Sequence, residues 1–224
     1  MTLLNLNPLP GKSGAIFEIL ETRFAKGHYK FGEMISPVEL AEEFSVSLQP
    51  LRMALNQLRA LGFIIITPQV GCKVISPTAE EVQDFFRLFA SMESVMAALA
   101  ADRHDLPEIK RLEALNHQLE NCIIQEKGVA EEYSDLVGLW HSTLRSMAKS
   151  PSLSSRLKPV WAMSDFMLWQ GAPEVPSKSL HTANAERTAI TELIAARAAG
   201  KAEALMHAHV YNKPLRVGIL GALG

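Results

Sequence analysis

The fold of the first part of this chain is decided by residues 36–71, which read SPVELAEEFSVSLQPLRMALNQLRALGFIIITPQVG. Ser36 and Glu39 have the spacing of a capping box, and the proline that follows Ser36 suits the first position of a helix. That helix is expected to be short, because a serine-rich turn follows it. Ser47 can cap a second helix, which the pattern ends at Gly62.

Two β-rich pieces follow the second helix, at residues 63–67 and 72–76, and a proline and a glycine lie between them. This pattern predicts a β-hairpin. An amphipathic helix is expected before the quoted stretch, at about residues 13–25. The order helix, helix, turn, helix, hairpin predicts a winged helix-turn-helix, whose second motif helix at 47–61 is shaped to enter a DNA major groove.

The charge of the chain allows DNA binding but does not require it. The 224 residues carry 22 Lys and Arg against 24 Asp and Glu, which excludes a uniformly basic nucleic-acid coat. Residues 1–77 hold seven basic and six acidic side chains, a net charge of +1. The second motif helix contains Arg52 and Arg59 and no acid, so its local charge favours DNA. A protein-interaction role for the winged helix stays open at this charge.

Everything after residue 78 has a helical pattern, and Gly, Pro and Asp separate the segments. Six helices are expected, at about 78–103, 106–127, 130–149, 151–170, 178–199 and 201–217. The predicted fold is therefore mainly α, with an N-terminal winged helix-turn-helix that carries a small β-hairpin wing, and a C-terminal all-α antiparallel bundle. The expected domains are a flexible arm at 1–11, a DNA-binding domain at 12–77 and a helical effector-binding and dimerisation domain at 78–224.

Composition and motifs exclude several other classes of protein. Cys72 and Cys122 are too few for a disulfide scaffold and lack metal-site spacing. No apolar run is long enough to span a bilayer and the first residues lack a signal-peptide pattern, so a cytoplasmic protein without a membrane partner is expected. We find no paired catalytic carboxylates, nucleophile elbow or phosphate-binding glycine loop, and therefore expect that the protein is not an enzyme.

Residues 38–58, followed by 61–64 and 68–71, resemble the helix-turn-helix and wing of GntR-family transcriptional regulators. The positions that match this motif are Ser47, Pro50, Arg52, Ala54, Leu55, Leu58 and Gly62. The helical half resembles the FadR-type subgroup, whose FCD-like C-terminal domain senses a small molecule. The resemblance implies a transcription regulator with double-stranded operator DNA as its partner. A homodimer is expected because two winged helices must meet two half-sites.

Seven residues are expected to contact DNA, and of these only Arg52 matches one of the arginines that the family uses. They are Ser36, Ser47, Leu48, Gln49, Arg52, Gly71 and Lys73. Gln49 is suited to adenine and Leu48 to a thymine methyl group. The family usually has a basic residue at three places where this chain has Val38, Leu48 and Val70. These departures favour an atypical operator, or the alternative of a ligand-sensing protein-interaction module with little DNA affinity.

Three polar residues fall on apolar helical stripes in the second half of the chain. His141 follows Val137 by one turn, and Arg187 and His209 lie on stripes of their own. A buried histidine is commonly a hydrogen-bonded core residue. A buried arginine is more informative, because it needs an anionic or carbonyl partner to offset the loss of its hydration.

Many proteins of the FadR-type subgroup hold a divalent metal with one aspartate and three histidines. In this chain the aspartate place is Val137 and the third histidine place is Arg187, so only His141 and His209 remain as ligands for any metal. Two imidazoles cannot complete such a site, and we expect no metal cofactor. We expect instead a small anionic effector, such as an organic or sugar acid, bound by His141, Arg187 and His209, with Arg145 assisting.

Overall fold

The computed structural model describes residues 11–67, 71–122, 129–170 and 177–223. The chain folds into two compact units. The first comprises Met1–Thr78 and Pro159–Gly171, and the second comprises Ala79–Lys158 and Ala172–Gly224. The helices are α1 Gly11–Ala25, α2 Pro37–Glu43, α3 Leu48–Ala60, α4 Ala79–Arg103, α5 Leu106–Asn121, α6 Val129–Met147, α7 Pro151–Leu168, α8 Ser177–Ala195, α9 Ala199–Tyr211, α10 Lys213–Arg216 and α11 Ile219–Ala222. The strands are β1 Met34–Ile35, β2 Ile64–Thr67 and β3 Gly71–Val74.

The first unit is a winged helix, as the sequence predicts. Ser36 caps α2, and its hydroxyl accepts a hydrogen bond of 3.3 Å from the backbone N–H of Glu39. Ser47 precedes α3, but its side chain makes no capping bond, so that expectation is wrong. Without that bond, the first turn of α3 leaves its backbone N–H groups for other partners.

The wing contains a strand that the sequence pattern did not reveal. β2 and β3 pair antiparallel, and β1 pairs with the other edge of β3, which gives the order β1-β3-β2. Met34 lies opposite Lys73, and Ile35 lies opposite Cys72. Two residues are too short for an alternating pattern, so β1 was not recognisable. The wing turn with Val70, the first ten residues of the predicted arm and the end of the predicted second bundle helix lie outside the described residues.

Aromatic rings form the core of the first unit. The ring of Phe24 lies 5.1 Å from that of Phe63 and 5.3 Å from that of Phe166, between centroids. Phe166 is on α7, which the helical pattern assigned wholly to the second domain. α7 begins in the second unit, and its part from Pro159 onward belongs to the first. The aromatic residues of α7, Trp161 and Phe166, both lie in the part of the helix that belongs to the first unit.

The second unit consists of helices whose inward faces carry the apolar residues. Ala202 and Met206 on α9 are buried, in line with the predicted stripe. The last predicted helix is wrong in length, because α9 ends at Tyr211 and a new short helix begins at Lys213. Pro214 has no N–H and clashes with the preceding turn, so the longer helix cannot continue through it. In the described part of the chain, no helix is both long enough and apolar enough to cross a membrane.

Candidate functional site

Helix α3 separates a buried face from an exposed face. Leu51, Ala54, Leu55 and Leu58 are buried in the first unit. Gln49 and Arg52 are exposed on the other side of the helix, as a DNA-reading role requires. Leu48 is also exposed and opens the helix beside them, so the first turn of the predicted recognition helix presents an apolar side chain.

The remaining predicted DNA contacts lie on other elements of the first unit. Lys73 is exposed on β3, and Gly71 begins that strand with φ +127°. A Cβ at Gly71 would lie 3.1 Å from Cε of Met34, so a side chain there would be both strained and crowded. Ser36 is engaged in its cap. Val38, where the family usually has a basic residue, is 57% exposed.

The second unit contains a group of buried and partly buried charged and polar side chains, here called the polar cluster. It consists of Glu93, His141, Arg145, Glu186, Arg187, His209, Lys213 and Arg216. The three residues that the sequence placed on inward stripes, on α6, α8 and α9, are all buried in this unit. The imidazole rings of His141 and His209 stack with centroids 5.9 Å apart. The structure therefore brings the two histidines together.

Each histidine is held by a carboxylate. Nδ1 of His141 lies 3.0 Å from Oε2 of the fully buried Glu93, which also accepts a hydrogen bond of 3.3 Å from Arg145. Nδ1 of His209 lies 2.6 Å from Oε2 of Glu186. An ionised carboxylate only accepts, so each Nδ1 carries the hydrogen and each Nε2 carries a lone pair when the ring is neutral.

Burial disfavours the protonated form of both imidazoles. Burial lowers the pKa of His141 well below 6.5, and the charges of Lys213 and Arg187 lower it further. The pKa of His209 is lowered for the same reasons. Nε2 of His209 is buried and has no hydrogen-bond partner among the described residues. This atom is an unsatisfied acceptor at the centre of the cluster.

Arg187 is buried against neutral partners. Its NH1 donates hydrogen bonds of 3.0 Å to the hydroxyl of Tyr133 and 2.8 Å to Oδ1 of Asn184. Its Nε is buried and has no hydrogen-bond partner within the described ranges. No carboxylate of the described residues forms an ion pair with this guanidinium. Burial lowers its pKa, which reflects the cost of holding a cation in this place.

Four members of the cluster were missed by the sequence reasoning: Glu93, Glu186, Lys213 and Arg216. Nζ of Lys213 lies 3.5 Å from Nε2 of His141, and the residue is almost fully buried. Lys213 follows His209 by four residues, so the inward stripe of the last helix could have identified it. Glu93 follows Phe89 by four residues on the apolar face of α4, and an acid in that position was the missed signal.

The formal charges of the cluster do not balance. Of the eight side chains that define the cluster, four are cationic and two are carboxylates, which is an excess of two positive formal charges within this set. Glu186 compensates the charge of Arg216, whose NH2 lies 2.5 Å from its Oε1. The cluster as described is suited to an anion.

The same residues do not fit a divalent cation. No group of three or more His, Cys, Asp or Glu side chains in the described residues could hold a metal ion. Val137 offers no donor atom one turn before His141. The ammonium of Lys213 faces the nitrogen of His141 that would have to bind the metal. A dication would also be repelled by the buried guanidinium of Arg187.

Two family descriptions match the chain. The model of the family described as bacterial regulatory proteins, gntR family, matches residues 12–74, and the model of the FCD domain matches residues 84–212. The Nta operon transcriptional regulator of Aminobacter aminovorans is 29% identical over 184 residues, which cover 82% of this chain and 83% of that protein. The transcriptional repressor GlaR of Escherichia coli is 24% identical over 85% of this chain and 89% of its own length.

Solved structures share the fold. McbR/YncC of E. coli superposes with a TM-score of 0.80 at 17% identity, over 96% of this chain and all of that one. A GntR-type chain from Rhodococcus sp. RHA1 gives a TM-score of 0.70 at 17% identity, over 94% and 98% of the two chains. At these identities the likeness extends to the fold alone.

Proposed function

This chain belongs to the gntR family of bacterial regulatory proteins, with an FCD domain as its helical part, and we propose that it regulates transcription in response to a small organic acid bound at the polar cluster. The acid changes the affinity of the winged helix for operator DNA. Repression is the proposed mode, since one relative of this chain is named a transcriptional repressor.

The observation that carries the proposal is the buried guanidinium of Arg187 without an anionic partner. A carboxylate of the effector would bind along the edge that contains Nε, because NH1 is already engaged on the other side. Each charge-assisted hydrogen bond of this kind contributes about 1.5–3 kcal/mol. The excess positive charge of the cluster favours the same ligand.

The unsatisfied Nε2 of His209 narrows the class of acid. With its hydrogen on Nδ1, this nitrogen needs a hydrogen-bond donor. A hydroxyl group on the effector supplies a donor that a simple carboxylate lacks. Hydroxy acids and sugar acids are therefore the preferred effectors.

DNA binding is proposed to use the exposed face of α3, with Arg52 and Gln49 at base edges and Lys73 of the wing on a phosphate. A homodimer would present two such helices to two half-sites. On α4, Leu88 is 63% exposed and Val95 is also exposed, so this helix offers an apolar surface to a second copy. Sedimentation of the purified protein tests the dimer.

A thermal-shift experiment tests the effector proposal. Purified protein is heated with a panel of hydroxy acids, sugar acids and simple carboxylates, beside the Arg187→Gln and Arg156→Gln variants. Arg156 is exposed on α7 in the second unit and serves as the matched control. We expect a hydroxy acid to raise the melting temperature of the wild type and of Arg156→Gln only, because a ligand stabilises the state that binds it. Equal shifts in all three proteins, or none in the panel, would contradict the proposal.

A second candidate function is a ligand-sensing module that acts through protein contacts. The exposed apolar side chains of Val38 and Leu48, at places where the family usually has a basic residue, favour it. A gel shift at low salt with DNA from upstream of the protein's own gene separates the two. Acid binding without any DNA shift would favour the protein-interaction module.

A further inference from the structure

We propose that the ammonium group of Lys213 takes the place of a divalent cation in the polar cluster, so that the effector site carries its own covalently attached cation. This inference rests on the proposed function for its role in effector binding, but its structural part can be tested alone. The resemblance of the sequence to the family did not indicate this role for Lys213.

His141 lies between a carboxylate and the ammonium group of Lys213. Glu93 accepts from Nδ1, and Nε2 directs its lone pair to Nζ of Lys213 at 3.5 Å. In metal proteins a carboxylate typically orients a histidine in this way, with the metal on the opposite ring nitrogen. Lys213 therefore stands on the side of the imidazole where a metal would bind.

The break between α9 and α10 fixes the position of Lys213. α9 ends at Tyr211, and Asn212 separates it from α10, which begins at Lys213 and contains the buried Pro214. Nζ lies 6.0 Å above the ring of Phe89, at the distance of a cation–π contact. The proline that ends α9 thus fixes the start of α10, and the lysine side chain is held inside the second unit.

The residues at positions 137 and 187 both favour a cluster without a metal ion. Val137 supplies no carboxylate that a dication would need, and Arg187 supplies a fixed positive charge. A lysine and an arginine together provide two charges without any bound ion. The two residues therefore carry two positive charges, as a divalent metal ion would, but both charges belong to side chains of the protein.

Zinc binding tests the inference without any knowledge of the effector. The probe is zinc chloride, titrated calorimetrically into EDTA-treated protein that was purified without a metal-affinity step. The proteins are the wild type, Val137→Asp, and Val137→Asp combined with Lys213→Met. The control double variant combines Val137→Asp with Lys201→Met, which removes an exposed lysine from α9.

We expect Val137→Asp with Lys213→Met to bind zinc at least about tenfold more tightly than Val137→Asp alone, because the Nε2 atoms of His141 and His209 and the new carboxylate then form a three-donor site. The Lys201→Met control should match Val137→Asp. Equal zinc affinity of Val137→Asp with and without Lys213 would overturn the inference. So would about one zinc per chain in the untreated wild type, lost in His141→Ala.

Two further measurements keep the test decisive. If the methionine variant fails to fold, Lys213→Gln retains a polar group of similar length and is titrated in its place. The thermal-shift panel is also repeated in EDTA. An acid that binds only with added zinc would overturn the role of Lys213 and leave the proposed function standing, whereas the absence of any acid binding would overturn the proposed function alone.

Discussion

The guanidinium of Arg187 donates a hydrogen bond from NH1 to the hydroxyl of Tyr133, over a distance of 3.0 Å. The same hydroxyl donates a bond of 2.6 Å to Oδ1 of Asn184, which also accepts from NH1. These three groups fix the orientation of the guanidinium. Because NH1 is fully engaged, the Nε edge is the part of Arg187 that remains for an anion.

Tyr133→Phe is predicted to weaken effector binding without abolishing it. The variant leaves the charge of Arg187 in place but removes one of the two bonds that orient it, at a cost of about 0.5–1.5 kcal/mol, or about two- to tenfold in affinity. Calorimetric titration with the acid found in the thermal-shift panel measures the change. Tyr211→Phe, which loses a bond to Gln83 elsewhere in the second unit, should bind as the wild type does. Unchanged binding by Tyr133→Phe would refute the orienting role.

Arg52→Ala is predicted to lower specific DNA affinity by about 1–3 kcal/mol, the usual value of an arginine contact with a guanine. Arg52 is exposed in the first half of α3, whereas Arg59 is exposed in its last turn. Arg59→Ala is therefore the matched control and should cost less. Fluorescence anisotropy with operator DNA compares the two variants. An equal loss in both would mean that the N-terminal part of α3 does not read the bases.

Phe166→Ala is predicted to destabilise the first unit by about 3–5 kcal/mol, because it removes a buried ring from the aromatic core. Chemical denaturation of the full chain measures the free energy of unfolding. Leu153→Ala changes an exposed residue of the same helix and should cost little. A similar small effect of both variants would contradict the placement of Phe166 in that core.

The free energy of unfolding is predicted to fall as the pH is lowered below about 6.5. The pKa values of His141 and His209 are lowered in the folded state, chiefly by burial, so below pH 6.5 the unfolded chain binds protons that the folded chain does not. The stability contribution is complete above the unfolded pKa and is lost as the pH falls towards the folded one. Each histidine adds a slope of up to about 1.4 kcal/mol per pH unit.

Denaturant titrations between pH 5 and 7 measure this slope. His209→Gln should reduce the slope by the contribution of one histidine, up to about 1.4 kcal/mol per pH unit, because the variant has no group to protonate at this position. Leu153→Ala changes an exposed residue that carries no titratable group and should leave the slope unchanged. A wild-type stability that is flat over this range would show that the two imidazoles are not held neutral by the fold.

Local periodicity was sufficient to predict the winged helix and the inward direction of His141, Arg187 and His209. Apolar residues three, four and seven positions apart determine which face of a helix is buried, and that rule needs no knowledge of the partner helix. The same rule does not say what a helix packs against. This is why the part of α7 that carries Phe166 was assigned to the wrong compact unit.

Contacts between distant side chains were less accessible from the sequence. Glu93 and His141 are 48 residues apart, and only the folded second unit brings them within hydrogen-bond distance. Lys213 follows His209 by four residues, but it was missed because the inward stripe of the last helix was followed only as far as His209. His141, Arg145, Arg187 and His209 could be predicted individually, but the other members of the cluster and the contacts among them required the structure.

The central claim is that an acid bound at Arg187 changes DNA affinity, and one titration tests it most directly. Fluorescence anisotropy measures the affinity of wild type and Arg187→Gln for DNA from upstream of the gene, with and without the acid that gives the largest thermal shift. The account predicts a change of about five- to 150-fold in the wild type, the usual range of allosteric coupling, and no change in Arg187→Gln, which should bind the DNA normally without acid. An equal response of both proteins to the acid, or no response of the wild type, would contradict it.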